Sequence, residues 1–207
     1  RSGIMLPKTI RYLKGEDLKD AIPDKLYIPL TDIRMLTKVD LLMLEMLANC
    51  NWERPLYLAI SVGSVSKLKF DNYFVQEGLA FRFTPFDYKK WGDVGENRLY
   101  AVDVERLYNN VMNRYKYGGL DTPGLYLDET TLRTCWYHRR LFAQLAKELI
   151  AQGDNERAKK VLAYAEQVIP GYNVPETHES GSYDIATAYA ALGEKTKAVT
   201  LAVDRKS

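Results

Sequence analysis

The chain has 207 residues, of which 46% are hydrophobic and 27% charged, and its net charge is +2. This apolar content excludes a disordered protein, and the near balance of charges argues against a nucleic-acid partner. The two cysteines, Cys50 and Cys135, and the two histidines, His138 and His178, are too few for a disulfide-rich mini-protein or a typical zinc site. We therefore expect no metal and no other cofactor.

No apolar run approaches the ~20 residues that a membrane-spanning helix needs. The sequence also begins at Arg1 rather than at a methionine. We therefore expect a soluble piece of a longer protein, whose chemistry could lie in another part of the parent.

Residues 1–100 are predicted to form a small α/β domain. Short apolar runs typical of strands lie at 9–13, 25–30, 56–62 and 79–84. Helical patterns lie at 38–48 and 70–76, and Thr37 and Asp40 have the spacing of a capping box at the start of the first. Alternating strands and helices predict a small, mainly parallel sheet of three to five strands with right-handed crossovers. Residues 87–97, with two glycines and mixed charge, are predicted to form a linker or long loop.

Residues 101–207 are predicted to form a helical domain, which makes the fold class α/β plus all-α. Apolar residues recur at helical spacing over 104–117, where Asp103 can cap the helix, and Asp128 can cap the next one. After Asp128 no segment has the pattern of a strand.

Two helical hairpins, at about 133–170 and 180–207, resemble tetratricopeptide repeats. Alanines and bulky residues recur at equivalent positions of both, and each has a glycine at the same place in the pattern. These glycines, Gly153 and Gly193, are 40 residues apart, which exceeds the usual repeat length of about 34. An insertion is therefore predicted within residues 171–181.

A glycine-containing loop, residues 63–67, follows the predicted strand 56–62. A phosphate-binding loop needs a second glycine and ends in Gly-Lys followed by Ser or Thr, and this loop has neither feature. We interpret it as a polar loop rather than a nucleotide site.

Three charged residues stand near the ends of predicted strands. Arg54 comes just before the strand 56–62, and Glu77 and Arg82 flank Gly78, where the predicted helix gives way to a strand. We interpret these residues as bridges at strand ends. A ligand site built from the same residues is the alternative.

Three segments carry a family resemblance: NWERPLYLA at 51–59, EGLAFR at 77–82 and YLDE at 126–129. They resemble the soluble C-terminal region of a large polytopic membrane-protein family. This family is abundant in Bacteroidetes, carries a domain-of-unknown-function label and has a transmembrane protein O-mannosyltransferase as its vertebrate relative.

The resemblance implies a parent similar to the GT-C glycosyltransferases, with many membrane helices, a lipid-linked sugar donor and an acidic catalytic residue in the membrane half. It implies no catalytic residue within this segment. It also implies a location on the periplasmic side of the inner membrane, beside the membrane-embedded part of the same chain and near an acceptor polypeptide.

The first hypothesis is therefore a non-catalytic, extracytoplasmic domain of a membrane glycosyltransferase-like protein. Helical repeats bind extended chains along the inner surface of their first helices. The repeat positions select Arg140, Ala143 and Lys147 in one hairpin, and Tyr183 and Thr187 in the other, as contact residues.

Two other hypotheses stay open. One is a freestanding α/β enzyme with a helical appendage, whose site would lie at the carboxyl ends of the strands, around residues 61–66 and 84–87. The other is a structural module for oligomerisation, which a large exposed apolar patch on the hairpins would favour.

Overall fold

The computed structural model describes residues 4–5, 24–28, 33, 35–50, 54–62, 68, 71–85 and 100–203. The chain divides into two compact units, Arg1–Asp103 and Val104–Ser207. The predicted strand at 9–13 and the predicted loop at 87–97 lie outside the described residues. No helix of the described residues is long and apolar enough to cross a membrane.

The first unit contains a four-stranded mixed sheet with the strand order β3-β5-β4-β6. Its strands are β3 (Tyr57–Ala59), β4 (Phe74–Gln76), β5 (Ala80–Phe83) and β6 (Ala101–Val102). β3 and β4 both run antiparallel to β5, and β6 runs parallel to β4. Two further short strands, β1 (Ile4–Met5) and β2 (Lys25–Leu26), pair antiparallel with each other.

The mainly parallel sheet expected from the element order is not confirmed, because two of the three described pairings in the mixed sheet are antiparallel. The predicted helix at 70–76 is wrong as well. A short 3₁₀ turn, Asp71–Tyr73, leads directly into β4. The chain then reverses, and the Glu77 amide donates to the Ala80 carbonyl oxygen at 3.2 Å. Without a helix between them, β4 and β5 form a hairpin rather than a parallel crossover.

Helix α1 (Lys38–Asn49) begins at the predicted capping box. The Asp40 amide donates to Thr37 Oγ1 at 3.2 Å, and the Thr37 amide donates to Asp40 Oδ2 at 2.7 Å. Leu47 of α1 packs in one buried cluster with Leu26 and Phe83. This cluster joins α1, β2 and β5 into one core.

The second unit is helical. Its helices are α2 (Val104–Asn109), α3 (Glu129–Ala151), α4 (Asn155–Val168), α5 (Ser182–Ala191) and α6 (Lys195–Val203). The predicted helix at 104–117 is shorter, because α2 passes into a π-helical turn, Asn110–Arg114. Asp128 caps α3 as predicted, since its Oδ1 accepts from the amides of Thr130 and Thr131 at 2.9 and 3.1 Å.

Helices α3 and α4, and likewise α5 and α6, form consecutive pairs joined by three-residue turns. Gly153 and Gly193 adopt positive φ angles of 81° and 80° in these turns, a conformation that glycine reaches without steric cost. The connection between the two pairs contains a 3₁₀ turn, His178–Ser180. The resemblance of the pairs to tetratricopeptide repeats stays a prediction.

The core of the second unit is built around α3, which contacts α2, α4 and α5. Large, fully buried side chains of this core come from α2, the π-helical turn, α3, α4 and the α4–α5 connection, and include Leu107, Val111, Phe142, Leu145, Leu149, Val161, Leu162 and Val174. Burial of these side chains from several elements fixes α3 at the centre of the unit.

Candidate functional site

Four of the residues selected from the sequence lie on two helices that contact each other. Arg140 and Lys147 belong to α3, and Tyr183 and Thr187 belong to α5; we call these four the α3/α5 surface. They lie two turns apart on α3 and one turn apart on α5, so each pair lies on one side of its helix. All four residues are exposed. Exposed polar groups from two adjoining helices are therefore available to a partner.

Polar contacts connect α3 to α5 and to the turn before it. Lys147 Nζ lies 2.8 Å from Asp184 Oδ1, and both side chains keep more than a third of their exposure. Arg140 donates through Nη2 to the backbone carbonyl of Glu179. On α5, Thr187 Oγ1 donates to the Tyr183 carbonyl at 2.6 Å. Arg140 and Lys147 of α3 thus extend towards α5 and the turn before it.

Ala143, which the repeat positions also selected, is completely buried with 0% exposure. It lies one turn from Ala146, which is equally buried, so both face the core side of α3. The prediction that Ala143 contacts a partner is therefore wrong.

Arg139 is a buried cation that the sequence reading did not select. Its guanidinium donates to the carbonyl oxygens of Val174 at 2.8 Å and Ile169 at 3.2 Å, and to Ser182 Oγ at 3.4 Å. A fourth bond reaches the carbonyl of Pro175, also at 3.4 Å. Burial lowers the pKa of Arg139, although nearby Glu176 opposes that shift. Arg139 thus fixes the α4–α5 connection and the first residue of α5 against α3.

The same connection also holds a second loop of the unit. Asn173 donates through Nδ2 to the carbonyls of Leu120 and Thr122 at 2.7 and 2.6 Å, and Tyr172 Oη donates to the carbonyl of Asp121 at 2.6 Å. Tyr172 and Asn173, in the segment where the sequence predicts an insertion, therefore brace the α4–α5 connection against the loop before α3.

His138 lies among aromatic rings of the second unit. Its ring centroid is 5.8 Å from that of Tyr115 and 5.4 Å from that of Tyr117, edge to face in both cases. Burial lowers the pKa of His138, so the imidazole is neutral at pH 7. No group of three or more potential metal ligands occurs in the part of the chain that the structure describes.

In the first unit the structure brings together Glu77 and Arg82 but not Arg54. Arg82 Nε lies 2.5 Å from Glu77 Oε1 in an ion pair without the alignment of a hydrogen bond, and both residues are only 6% exposed. Tyr57 Oη donates to Glu77 Oε2 at 3.0 Å. Arg54 lies exposed before β3. Through these contacts Glu77 connects Tyr57 of β3 with Arg82 of β5.

A cavity of about 250 Å³ lies between α1 and the sheet of the first unit. Its lining consists of Val39, Met43, Met46, Leu47, Leu56, Tyr57, Leu58, Val62, Phe74 and Phe83. Among the described lining residues, Tyr57 is the one whose side chain carries a hydroxyl group, and Glu77 accepts its hydrogen bond. The described lining can hold an apolar group and contains no acidic or basic side chain.

The enzyme hypothesis depended on a site at the carboxyl ends of parallel strands. Residues 63–66 and 86–87 of that region lie outside the described residues. Thr84 is completely buried, and its Oγ1 donates to the Tyr73 carbonyl at 3.1 Å. Because β3 runs antiparallel to β5, the carboxyl ends of these two strands lie at opposite edges of the sheet. The geometric argument for that site therefore fails.

Comparison with known proteins gives one family match. The family model described as TMEM260-associated domain 2 matches residues 8–105, which are 98 of the 207 residues. No curated protein and no solved structure matches the chain. The match covers most of the first unit and ends at the beginning of α2. Within this segment the chain is similar to TMEM260-associated domain 2.

Proposed function

We propose that this chain is a non-catalytic accessory domain of a TMEM260-like membrane protein, and that its helical unit holds an extended acceptor polypeptide along the α3/α5 surface. The match of residues 8–105 to a TMEM260-associated domain supports the first part. In this proposal the domain lies on the periplasmic side of the inner membrane. The membrane-embedded part of the same chain carries the glycosyltransferase-like chemistry.

The observation that carries the second part is the pairing of exposed polar groups on α3 and α5. The α3/α5 surface offers hydrogen-bond donors and one large aromatic ring on two adjoining helices. The four hydrogen bonds of Arg139 hold the α4–α5 connection and Ser182, the first residue of α5, against α3. A surface that is ordered before binding loses less conformational entropy when a flexible chain is bound.

Helix α1 suggests how the first unit contributes. It exposes Leu41, Leu42 and Met46 by 54%, 60% and 48%. Exposed apolar side chains clustered on one short helix are typical of a contact surface. We propose that this helix contacts the membrane-embedded part of the parent.

Site-specific photo-crosslinking in the full-length parent tests both contacts. A photo-reactive amino acid at position 187 should capture an acceptor polypeptide, and the double variant Arg140→Glu/Lys147→Glu should abolish that product. The same group at position 42 should capture the membrane-embedded part. Position 160 of α4, which is exposed, serves as the control site.

Two outcomes contradict the proposal for the helical unit. Position 187 could capture only the membrane-embedded part, in which case the surface is an internal contact of the parent. Alternatively, positions 187 and 160 could give the same products, in which case the α3/α5 surface has no binding preference.

A further inference from the structure

We infer that the α3/α5 surface selects extended polypeptides that carry acidic side chains at every third residue. This inference rests on the proposed function, because it specifies the chemistry of the polypeptide that the surface would hold. It is carried by a row of three cations on α3, namely Arg133, Arg140 and Lys147, which we call the cationic row.

The cationic row follows one side of α3. Its members are seven residues apart, which is close to two helical turns. The side chains of Arg133 and Lys147 are 64% and 43% exposed, and Arg140 is exposed as well. Residues 130–147 contain no aspartate or glutamate. Within α3 itself, the row is therefore not interrupted by negative charge.

The spacing of the row sets the spacing of the partner's charges. At about 1.5 Å per residue, successive cations are about 10.5 Å apart along the helix axis. A polyproline II chain has three residues per turn and advances about 3.1 Å per residue, so every third side chain returns to the same side after about 9.3 Å. The difference of about 1 Å per step is small beside the reach of arginine and lysine side chains. A β-strand fits less well, because its side chains alternate between two faces. A residue and the one three positions later therefore point to opposite faces.

The cations already have partners, but these partners are easily exchanged. Glu129 pairs with Arg133 at 2.5 Å, and its side chain is 76% exposed. Asp184 pairs with Lys147 at 2.8 Å and is 41% exposed. Arg140 binds only a neutral backbone carbonyl in the described contacts. Exposed ion pairs are weak because water and salt screen them, so a ligand carboxylate can replace them at little cost.

Fluorescence anisotropy with the 207-residue chain and three labelled peptides tests the inference. All three peptides are rich in proline and serine. The first carries three aspartates at every third position, the second carries them at every second position, and the third has asparagines in place of the aspartates of the first. Each exposed ion pair contributes a factor of about two to five to affinity. Because Arg133 and Lys147 exchange one ion pair for another and Arg140 gains a new one, we expect the first peptide to bind about two- to fivefold more tightly than the third at low salt.

Protein variants locate the contact. Arg140→Gln/Lys147→Gln should reduce the affinity for the first peptide to near that for the asparagine peptide. The control Lys160→Gln/Lys195→Gln, which removes the same charge from exposed positions on α4 and α6, should leave it unchanged. Circular dichroism establishes that both variants keep their helices.

The outcomes separate this inference from the proposed function. If the asparagine peptide binds as tightly as the first peptide, and the Arg140/Lys147 variant weakens both, the surface holds polypeptides without selecting acidic ones, and only this inference fails. Equal binding of the two aspartate spacings also overturns the inference. If no peptide binds and position 187 captures no polypeptide, the proposed function fails with it.

Discussion

Arg139 and Arg140 are adjacent in sequence, but their guanidinium groups have different surroundings. Arg140 is exposed and reaches one carbonyl, whereas Arg139 is 4% exposed and donates to three carbonyls and a hydroxyl. One residue along the helix separates a surface cation from a buried one because the two side chains point about 100° apart. The comparison of Arg139 and Arg140 shows that residue type alone does not determine which arginine is accessible to a ligand.

Replacing Arg139 tests its bracing role. Arg139→Met keeps an apolar side chain of similar length but leaves the carbonyls of Ile169 and Val174 without this donor. Because unsatisfied buried carbonyls are costly, we expect the free energy of unfolding to fall by about 2–4 kcal/mol, measured by urea denaturation. Arg133→Met is the matched control and should change it by less than about 0.5 kcal/mol, since Arg133 forms an exposed pair. Equal effects of the two variants would contradict the bracing role.

At the scale of one element, the start of α5 depends on a close approach to α3. Gly181 precedes α5 with φ of 84°, and an added Cβ would lie 2.8 Å from Cγ and 3.2 Å from the backbone nitrogen of Arg140. Gly193, in the α5–α6 turn, has nearly the same φ of 80°, but nothing lies within 4 Å of an added Cβ. Comparing substitutions at the two glycines therefore separates the energetic cost of backbone strain from the cost of a steric clash.

The paired variants Gly181→Ala and Gly193→Ala should differ in stability. Both place a side chain at positive φ, which costs about 1 kcal/mol. Gly181→Ala must also push α5 away from Arg140, so we expect it to lower the free energy of unfolding by at least about 1 kcal/mol more than Gly193→Ala does. Urea denaturation followed by circular dichroism measures both. Equal losses in the free energy of unfolding would show that α3 and α5 are not closely packed at Gly181.

Elements with local sequence signals were predicted from the sequence, and elements defined by distant pairing were not. The capping residues Thr37 and Asp128 were identified because a cap is set by neighbours a few residues away. The segment 70–76 was predicted as a helix, although residues 74–76 form β4. Seven residues are too few to separate the two periodicities, and β4 is defined by pairing with β5 and β6.

The candidate site shows the same division. Of the residues that the repeat positions selected, Arg140, Lys147, Tyr183 and Thr187 are exposed and Ala143 is buried. Helical periodicity determines which residues share a side, but whether the four exposed residues contact a partner stays a prediction. The bracing role of Arg139 was missed. Its position was nevertheless informative, because Arg139 lies four residues after Cys135, and both are buried. A charged residue on an apolar stripe of a helix is a sequence signal for a buried, hydrogen-bonded group.

At the scale of the whole molecule, each unit has buried residues of its own. The described core of the first unit is small, with Leu26, Leu47, Leu68 and Phe83 in its main cluster. Among the described residues, most of the fully buried side chains lie in the second unit, and they come from α2 and its π-helical turn, α3, α4, the α4–α5 connection and α5. A domain folds independently when its apolar side chains are packed within it. The described residues of the 104–207 segment meet this condition.

We therefore expect residues 104–207, produced alone, to fold. The fragment should show the far-ultraviolet circular dichroism of a helical protein and one cooperative thermal transition, because its buried side chains find their partners inside the fragment. Leu149→Ala, which truncates a side chain with 0% exposure, should lower its free energy of unfolding by about 2–5 kcal/mol. Val199→Ala, at a position that is 59% exposed, should have little effect. A gradual, non-cooperative transition, or equal effects of the two substitutions, would show that the fragment lacks a packed core of its own.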